Sequence, residues 1–344
     1  MKKVLFASTA LLATASMASA EIKFSGYGRF GIGYLEDRSG AVTNITVTTT
    51  TSGVINVGTG TAVVDTDDVI LISRFRLNID GIVETDSGVE FSARVRLQAD
   101  ENAGNGEAGE AQLSGARFTV QYGGLRVDAG NVSGAFDNLA NYYGNEPGLE
   151  NFIGQYSGVN YDFLAFSSTG AGSNAVFFQY AVGDFAFGAS YDTATGAING
   201  DKIDLDRWDV SATYTFNNIT AAIAYGETDA GVDGLDDPSL LVFTLGADFG
   251  DFSGTLFVAD DNTEIDLTDG TAWGISAAYN VGSALTLTAA YGDGNADGDT
   301  EQYGIGAIYD LGGGASLQGG IGNSDCDICE DSSLRADFGA RFNF

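Results

Sequence analysis

The 344-residue chain contains no histidine. That removes the commonest general base, the Ser–His and Cys–His nucleophile pairs, and every imidazole metal site. Proline is nearly missing, with 2 residues, and cysteine is equally rare. Positive charge is scarce: 15 Lys and Arg stand against 47 Asp and Glu, a net charge of −32. A surface that binds phosphate backbones must be basic, so nucleic acid is excluded as a partner. The chain also lacks an apolar run of the ~20 residues that a membrane-crossing helix needs.

The apolar stretch that does occur is short and N-terminal. Met1-Lys2-Lys3 is a basic start, Val4 to Ala13 is mostly apolar, and Ala18-Ser19-Ala20 is an A-x-A cleavage site. This is the pattern of an export signal. Residues 1–20 are therefore expected to be removed, leaving residues 21–344 as one domain with a net charge near −34 once Lys2 and Lys3 are gone. Such acidity can mean disorder, but 22 Phe, 15 Tyr and 49 Gly in alternating runs argue for long strands and tight turns.

The last eleven residues show the alternation most clearly. Leu334, Ala336, Phe338, Ala340, Phe342 and Phe344 occupy every second place, with Arg335, Asp337, Gly339, Arg341 and Asn343 between them. Period two means a strand with one apolar and one polar face. Eleven residues is about the length that crosses a bilayer as a tilted strand, roughly 9–11.

Similar segments recur sixteen times: 22–36, 69–82, 88–99, 111–122, 125–131, 175–182, 185–192, 207–217, 219–227, 240–249, 252–260, 270–279, 284–292, 300–310, 315–323 and 334–344. The connections alternate between tight turns, such as Gly123-Gly124 and Asn217-Asn218, and long acidic loops, such as Asp37–Asp68 and Asp260–Asp269. Short turns at one end and long loops at the other predict an all-β fold, a sixteen-stranded antiparallel transmembrane barrel. Trp208, Tyr214, Trp273 and Tyr279 fall on outward positions, and Tyr122, Tyr180, Tyr214, Tyr279 and Tyr309 fall near strand ends, as an interfacial girdle requires.

Arg29, Arg74, Arg76, Arg94, Arg96, Arg117 and Arg126 sit at the opposite parity, with Lys23, Arg335 and Arg341. In a closed ring these form one basic sector over the last strand and the first five. Arginine facing lipid at mid-depth costs about 2–4 kcal/mol and costs little facing water, so the parity predicts a wet interior. The plainer reading is that some of them neutralise inward carboxylates such as Asp80, Glu90 and Asp128. The longest connection, about 132–174, carries Asp137, Glu146, Glu150 and Asp162, several aromatics and no basic residue. A loop of that length is usually functional.

Ile22–Arg29, Thr85-Asp-Ser-Gly-Val-Glu-Phe91, Tyr309-Asp-Leu-Gly-Gly-Gly-Ala-Ser316 and the terminal strand resemble general diffusion porins of the bacterial outer membrane, those of Rhodobacter-type α-proteobacteria in particular. The resemblance implies a homotrimer of barrels, a third long loop folded inward as a constriction, and a water-filled channel for passive diffusion of ions and small hydrophilic solutes. It implies Asp137, Glu146 and Glu150 on the acidic side of that constriction and Arg29, Arg74, Arg76, Arg94, Arg96 and Arg117 on the basic side. The implied surroundings are outer-membrane lipid, lipopolysaccharide and the barrel-assembly machinery, which reads a C-terminal Phe. A substrate-specific channel, or an adhesin or structural barrel, are the other functions of such a fold. An enzyme is not expected. The chain departs from the pattern in its Thr-rich first loop, Thr43 to Val64, and in Cys326-x-x-Cys329. An exported Cys pair at that spacing predicts a local disulfide. No cofactor is required; Ca²⁺ or Mg²⁺ is expected at acidic loop clusters such as Asp325, Asp327, Glu330 and Asp331, or Asp233, Asp236 and Asp237.

Overall fold

The computed structural model describes residues 20–36, 43–51, 54–62, 67–102, 107–198, 201–229, 237–329 and 331–344. All but the last residue of the leader lies outside these, as do Asp233, Asp236 and Glu330. Sixteen strands form the barrel: β1 (Glu21–Leu35), β2 (Val69–Glu84), β3 (Glu90–Asn102), β4 (Arg117–Tyr122), β5 (Leu125–Gly130), β6 (Ala175–Val182), β7 (Phe185–Ile198) and β8 (Asp201–Phe216). Then follow β9 (Ile219–Asp229), β10 (Ser239–Phe249), β11 (Phe252–Asn262), β12 (Gly270–Val281), β13 (Leu285–Gly294), β14 (Glu301–Gly312), β15 (Ala315–Asp325) and β16 (Ser333–Asn343). Each pairs antiparallel with its sequence neighbours, and β1 pairs with both β2 and β16, which closes the ring.

Closure is carried to the end of the chain. Gly26 and Phe344 exchange two backbone hydrogen bonds, of 2.9 and 3.0 Å. The Phe344 ring stacks on Phe75 at 5.8 Å and lies 6.3 Å from Phe342. Gly26 is required there: a Cβ at this position would meet the Arg76 carbonyl oxygen at 2.0 Å.

The period-two pattern sorts cleanly. Phe75, Phe118, Phe178, Phe187, Val210, Ile275, Ile305 and Phe338 all face outward and are exposed. The five tyrosines near strand ends, Tyr122, Tyr180, Tyr214, Tyr279 and Tyr309, are exposed on the same side. Asn217 holds φ 53° in the β8–β9 turn, a left-handed conformation that Asn tolerates better than most residues.

Three features differ from the sequence expectation. The β7–β8 ladder runs on from Asp192↔Arg207 to Ile198↔Asp201, beyond the expected strand ends at 192 and 207 and beyond the last aromatic residues. A backbone ladder needs no aromatic side chains to continue past the bilayer. The strand expected at 111–122 is broken into Gln112–Leu113 and β4, and Ser114 between them bridges to Gly170 instead. The first long loop contains its own hairpin, Thr43–Thr51 with Val54–Ala62. Cys326 and Cys329 are joined by a disulfide in the loop before β16.

Ile305 faces outward, between Tyr303 and Tyr309 on the same face of β14, and therefore lies between the two interfaces. Ile305→Arg is expected to lower the folding free energy in lipid by about 2–4 kcal/mol. Equilibrium urea titration in liposomes measures this; a neutral outcome would reverse the assignment of faces.

Candidate functional site

Residues 131–174 join β5 to β6 and carry no regular strand. Their backbone polar groups are satisfied instead by wall side chains. The Ala135 amide donates to Ser190 Oγ on β7 (2.9 Å) and to Asp209 Oδ2 on β8 (2.7 Å). The Ala140 carbonyl accepts from Thr244 on β10 at 2.6 Å. Asn160 and Tyr161 amides donate to Asp261 on β11 at 2.5 and 3.0 Å. Asn145 donates to Ser276 on β12 (2.7 Å) and Ile153 to Gln302 on β14 (2.6 Å). Leu149, Glu150 and Asn151 amides all donate to Asp337 on β16, each at 2.8 Å. A segment that reaches β7, β12 and β16 of a closed ring, on the face opposite the exposed aromatics, does so across the lumen. Gly148 makes the Asp337 clamp possible: it holds φ 82°, and a Cβ there would sit 2.6 Å from Asp337 Oδ1.

The segment divides the lumen into two unlike walls. Over β9 to β12 the inward positions between the polar anchors Thr244, Asp261 and Ser276 are largely apolar, with Ala222, Ala224, Leu240, Val242, Phe257 and Ala272 buried under Phe136, Leu139, Tyr142 and Tyr161. Tyr142 packs edge-on to Phe257 at 5.2 Å. That side is therefore dry, contrary to a uniformly wet interior. Its inward residues are small or apolar on both faces of the strands, and parity alone does not separate such a wall from a lipid-facing one.

The wet wall is the arginine sector. Glu150 forms ion pairs with Arg29 and, at 2.9 Å, with Arg74. Arg74 also pairs with Asp100 and donates to Tyr27 at 3.5 Å. Arg94 grips Asp80 with both forks, at 2.6 and 3.0 Å. Arg126 does the same to Asp128, at 3.2 and 2.5 Å. Arg76 and Arg96 bind only neutral oxygens: Gln98 for Arg76, Asn78 for Arg96 at 2.8 Å, and Ser168 Oγ for both. Arg117 lies over the Phe166 ring.

All seven arginines are thus gathered on β1 to β5, and of the three acidic candidates only Glu150 meets them. Asp137 accepts from Tyr143, and Glu146 from Tyr156 at 2.9 Å. Both remain on the segment but are held by its own tyrosines. Neutralisation by wall carboxylates is real for Arg94 and Arg126, which pair with Asp80 and Asp128. Sequence reasoning missed Asp337, Asp209 and Asp261, the anchors. An inward carboxylate opposite small residues such as Gly33 and Gly320 is the signal that could have found Asp337. Burial lifts the Glu150 carboxyl above its ordinary range, against the opposing pull of Arg29 and Arg74.

Nothing in this arrangement is a nucleophile–base pair. Among the described residues no group of three or more carboxylates or thiols is placed to hold a metal ion. What the geometry can do is hold a polar passage open between fixed charges.

Comparison with known proteins agrees with that geometry. The model of the Gram-negative porin family matches residues 7–327. A porin of Fuscovulum blasticum is 30% identical over 331 residues, covering 94% of this chain and all of the relative. A porin of Rhodobacter capsulatus is 30% identical over 302 residues, covering 81% and 95%. Among solved structures, a variant of the Rh. blastica porin superposes with a TM-score of 0.73 at 26% identity over 94% of this chain and all of that one.

Asp337→Ala removes the acceptor of three amides at once. Hydrogen bonds to charged groups are worth about 1.5–3 kcal/mol. Exchange protection of the Leu149, Glu150 and Asn151 amides is expected to fall at least about thirtyfold, a loss of roughly 2 kcal/mol. Hydrogen–deuterium exchange read by mass spectrometry checks this, with β9–β12 peptides unchanged.

Proposed function

The chain belongs to the Gram-negative porin family, and from that premise we propose that it works in the bacterial outer membrane as a water-filled channel. Ions and small hydrophilic solutes cross it passively, and it is not an enzyme. The observation that carries this is the closed ring with an apolar exterior and a lumen spanned by one segment. That segment sets Glu150 directly against Arg29 and Arg74 of the arginine wall. Fixed charges of both signs along the passage orient water and dipolar solutes, so apolar solutes must displace ordered water and are disfavoured.

The finer parts of the reading rest on the N-terminal export pattern, the acidic loop clusters and the same resemblance. The mature protein begins at Glu21, the functional unit is a homotrimer, and the barrel-assembly machinery engages Phe344. Lipopolysaccharide surrounds the outer rim, and Ca²⁺ or Mg²⁺ bridges acidic loops. N-terminal sequencing of the exported protein, and gel mobility of unheated against heated samples with and without EDTA, test these separately.

Reconstituted liposomes are expected to swell with pentoses and hexoses and progressively less with larger neutral sugars. A rate independent of sugar size, or no swelling, would sink the diffusion-channel reading.

Ion selectivity sets two regions against each other. Acidic loops at the mouth concentrate cations but are screened over about 10 Å at 0.1 M salt. The arginine sector repels cations at close range. Weak cation preference that fades as salt rises is expected, and Arg96→Ala strengthens it. Reversal potentials under a KCl gradient read both. Because burial raises the Glu150 carboxyl, acidification removes its charge before that of exposed carboxylates near their usual value of about 4. The arginines stay charged, so cation preference drops at a pH above that range. Glu150→Gln abolishes this step and leaves the lower-pH change of the loops.

A further inference from the structure

The arginines of the wall are not equivalent. Arg29, Arg74, Arg94 and Arg126 each have a carboxylate within ion-pairing distance. Among the described residues Arg76, Arg96 and Arg117 have none. These three are also neighbours. Asn78 pairs with Arg96 across β2 and β3, which places Arg76 diagonal to Arg96 on the same face. Arg117 lies directly opposite Arg94, two residues from Arg96.

The loop segment draws them together further. Arg76 Nη2 and Arg96 Nη1 donate to the same Ser168 Oγ, at 3.3 and 2.7 Å. Arg96 and Arg117 lie over the same Phe166 ring, at 4.5 and 5.8 Å. One hydroxyl and one ring thus occupy the place where a counter-anion would sit. Arg117 Nε is buried without a hydrogen-bond partner, a donor left over in the cluster. Three guanidiniums side by side, with only neutral acceptors, repel one another, and a guanidinium fork matches an oxyanion in two parallel hydrogen bonds.

We propose that Arg76, Arg96 and Arg117, with Ser168 at their centre, form a binding site for multiply charged oxyanions of the phosphate type on the wall of the constriction. The proposal rests on the channel reading and deepens it. Chloride, a single charge without forked oxygens, passes the cluster. A dianion lingers there and obstructs the path of other ions. The remaining four arginines do not contribute, because their own carboxylates already occupy their forks.

Conductance of the full-length protein in planar bilayers tests this at pH 7.5, with inorganic phosphate replacing KCl at constant ionic strength. KCl conductance is expected first. Phosphate should then attenuate it saturably in the millimolar range, and acetate should not. Arg96→Gln and Arg76→Gln should each weaken the effect about tenfold or more, since each removes charge-assisted hydrogen bonds. Ser168→Ala, which leaves every arginine in place and frees the two donors that Ser168 Oγ engages, should keep or strengthen it. KCl conductance with no phosphate attenuation overturns this inference alone. So does attenuation that persists in the Arg76→Gln, Arg96→Gln double variant, or that vanishes in Ser168→Ala. No KCl conductance at all overturns the channel reading, and this inference with it.

Discussion

A strand in hydrocarbon has no water to bond to, so every amide and carbonyl along it must find a partner in the next strand. The ring answers that demand only if its first and last strands meet. Here β1 meets β16 over Tyr27 to Leu35 and β2 over Glu21 to Tyr34. Everything else follows from that seam. A closed sheet has one inside, period two sends alternate residues there, and the register then decides which inward residues stand together. Arg94 faces Arg117 and Asp80 faces Arg94 because of pairing, not because of sequence proximity.

The same demand reappears inside the lumen in another form. Residues 131–174 have left the sheet, and their amides are answered by carboxylates, amides and hydroxyls projecting from the wall. Asp209, Asp261 and Asp337 each accept two or three hydrogen bonds from this segment or the wall beside it. The apolar positions of β9 to β12 supply the packing that the polar anchors do not, covered by Tyr142 and Phe136 of the segment. The arginine wall meets the segment through ion pairs and hydrogen bonds to Glu150, Leu149 and Ser168. Position and chemistry of the passage therefore have separate origins: packing on one wall sets where the segment lies, and charge on the other sets what it faces.

Much of the barrel was legible because its signal is repeated. An inward arginine beside an outward phenylalanine, as at Arg76 and Phe75, fixes the face of a strand by itself. The hairpin extension past Asp192 was not legible, since residues 193–206 carry only Ile198, Ile203 and Leu205 as large apolar residues and no aromatic to mark a strand. The site was legible on its strand side only. Register follows from alternation, so the arginines could be placed; the segment has no period, so Glu150 could not be told from Glu146. Asp337 reads as one more polar residue of a strand until Gly148 and three amides are found against it. The apolar inner wall was hidden for the opposite reason. Ala222, Ala224 and Val242 face a covered lumen and resemble residues that face lipid.

The Asp337 clamp has a consequence for the order in which the molecule is made. Its three amide donors lie at 149–151, near the middle of the chain, but its carboxylate belongs to the final strand. Until β16 has zipped to β1, residues 149–151 lack that holdfast. An unfinished ring therefore holds the segment by its other anchors but leaves the amides of residues 149–151 free, and the edge of the passage beside Glu150 is set only when β16 pairs with β1.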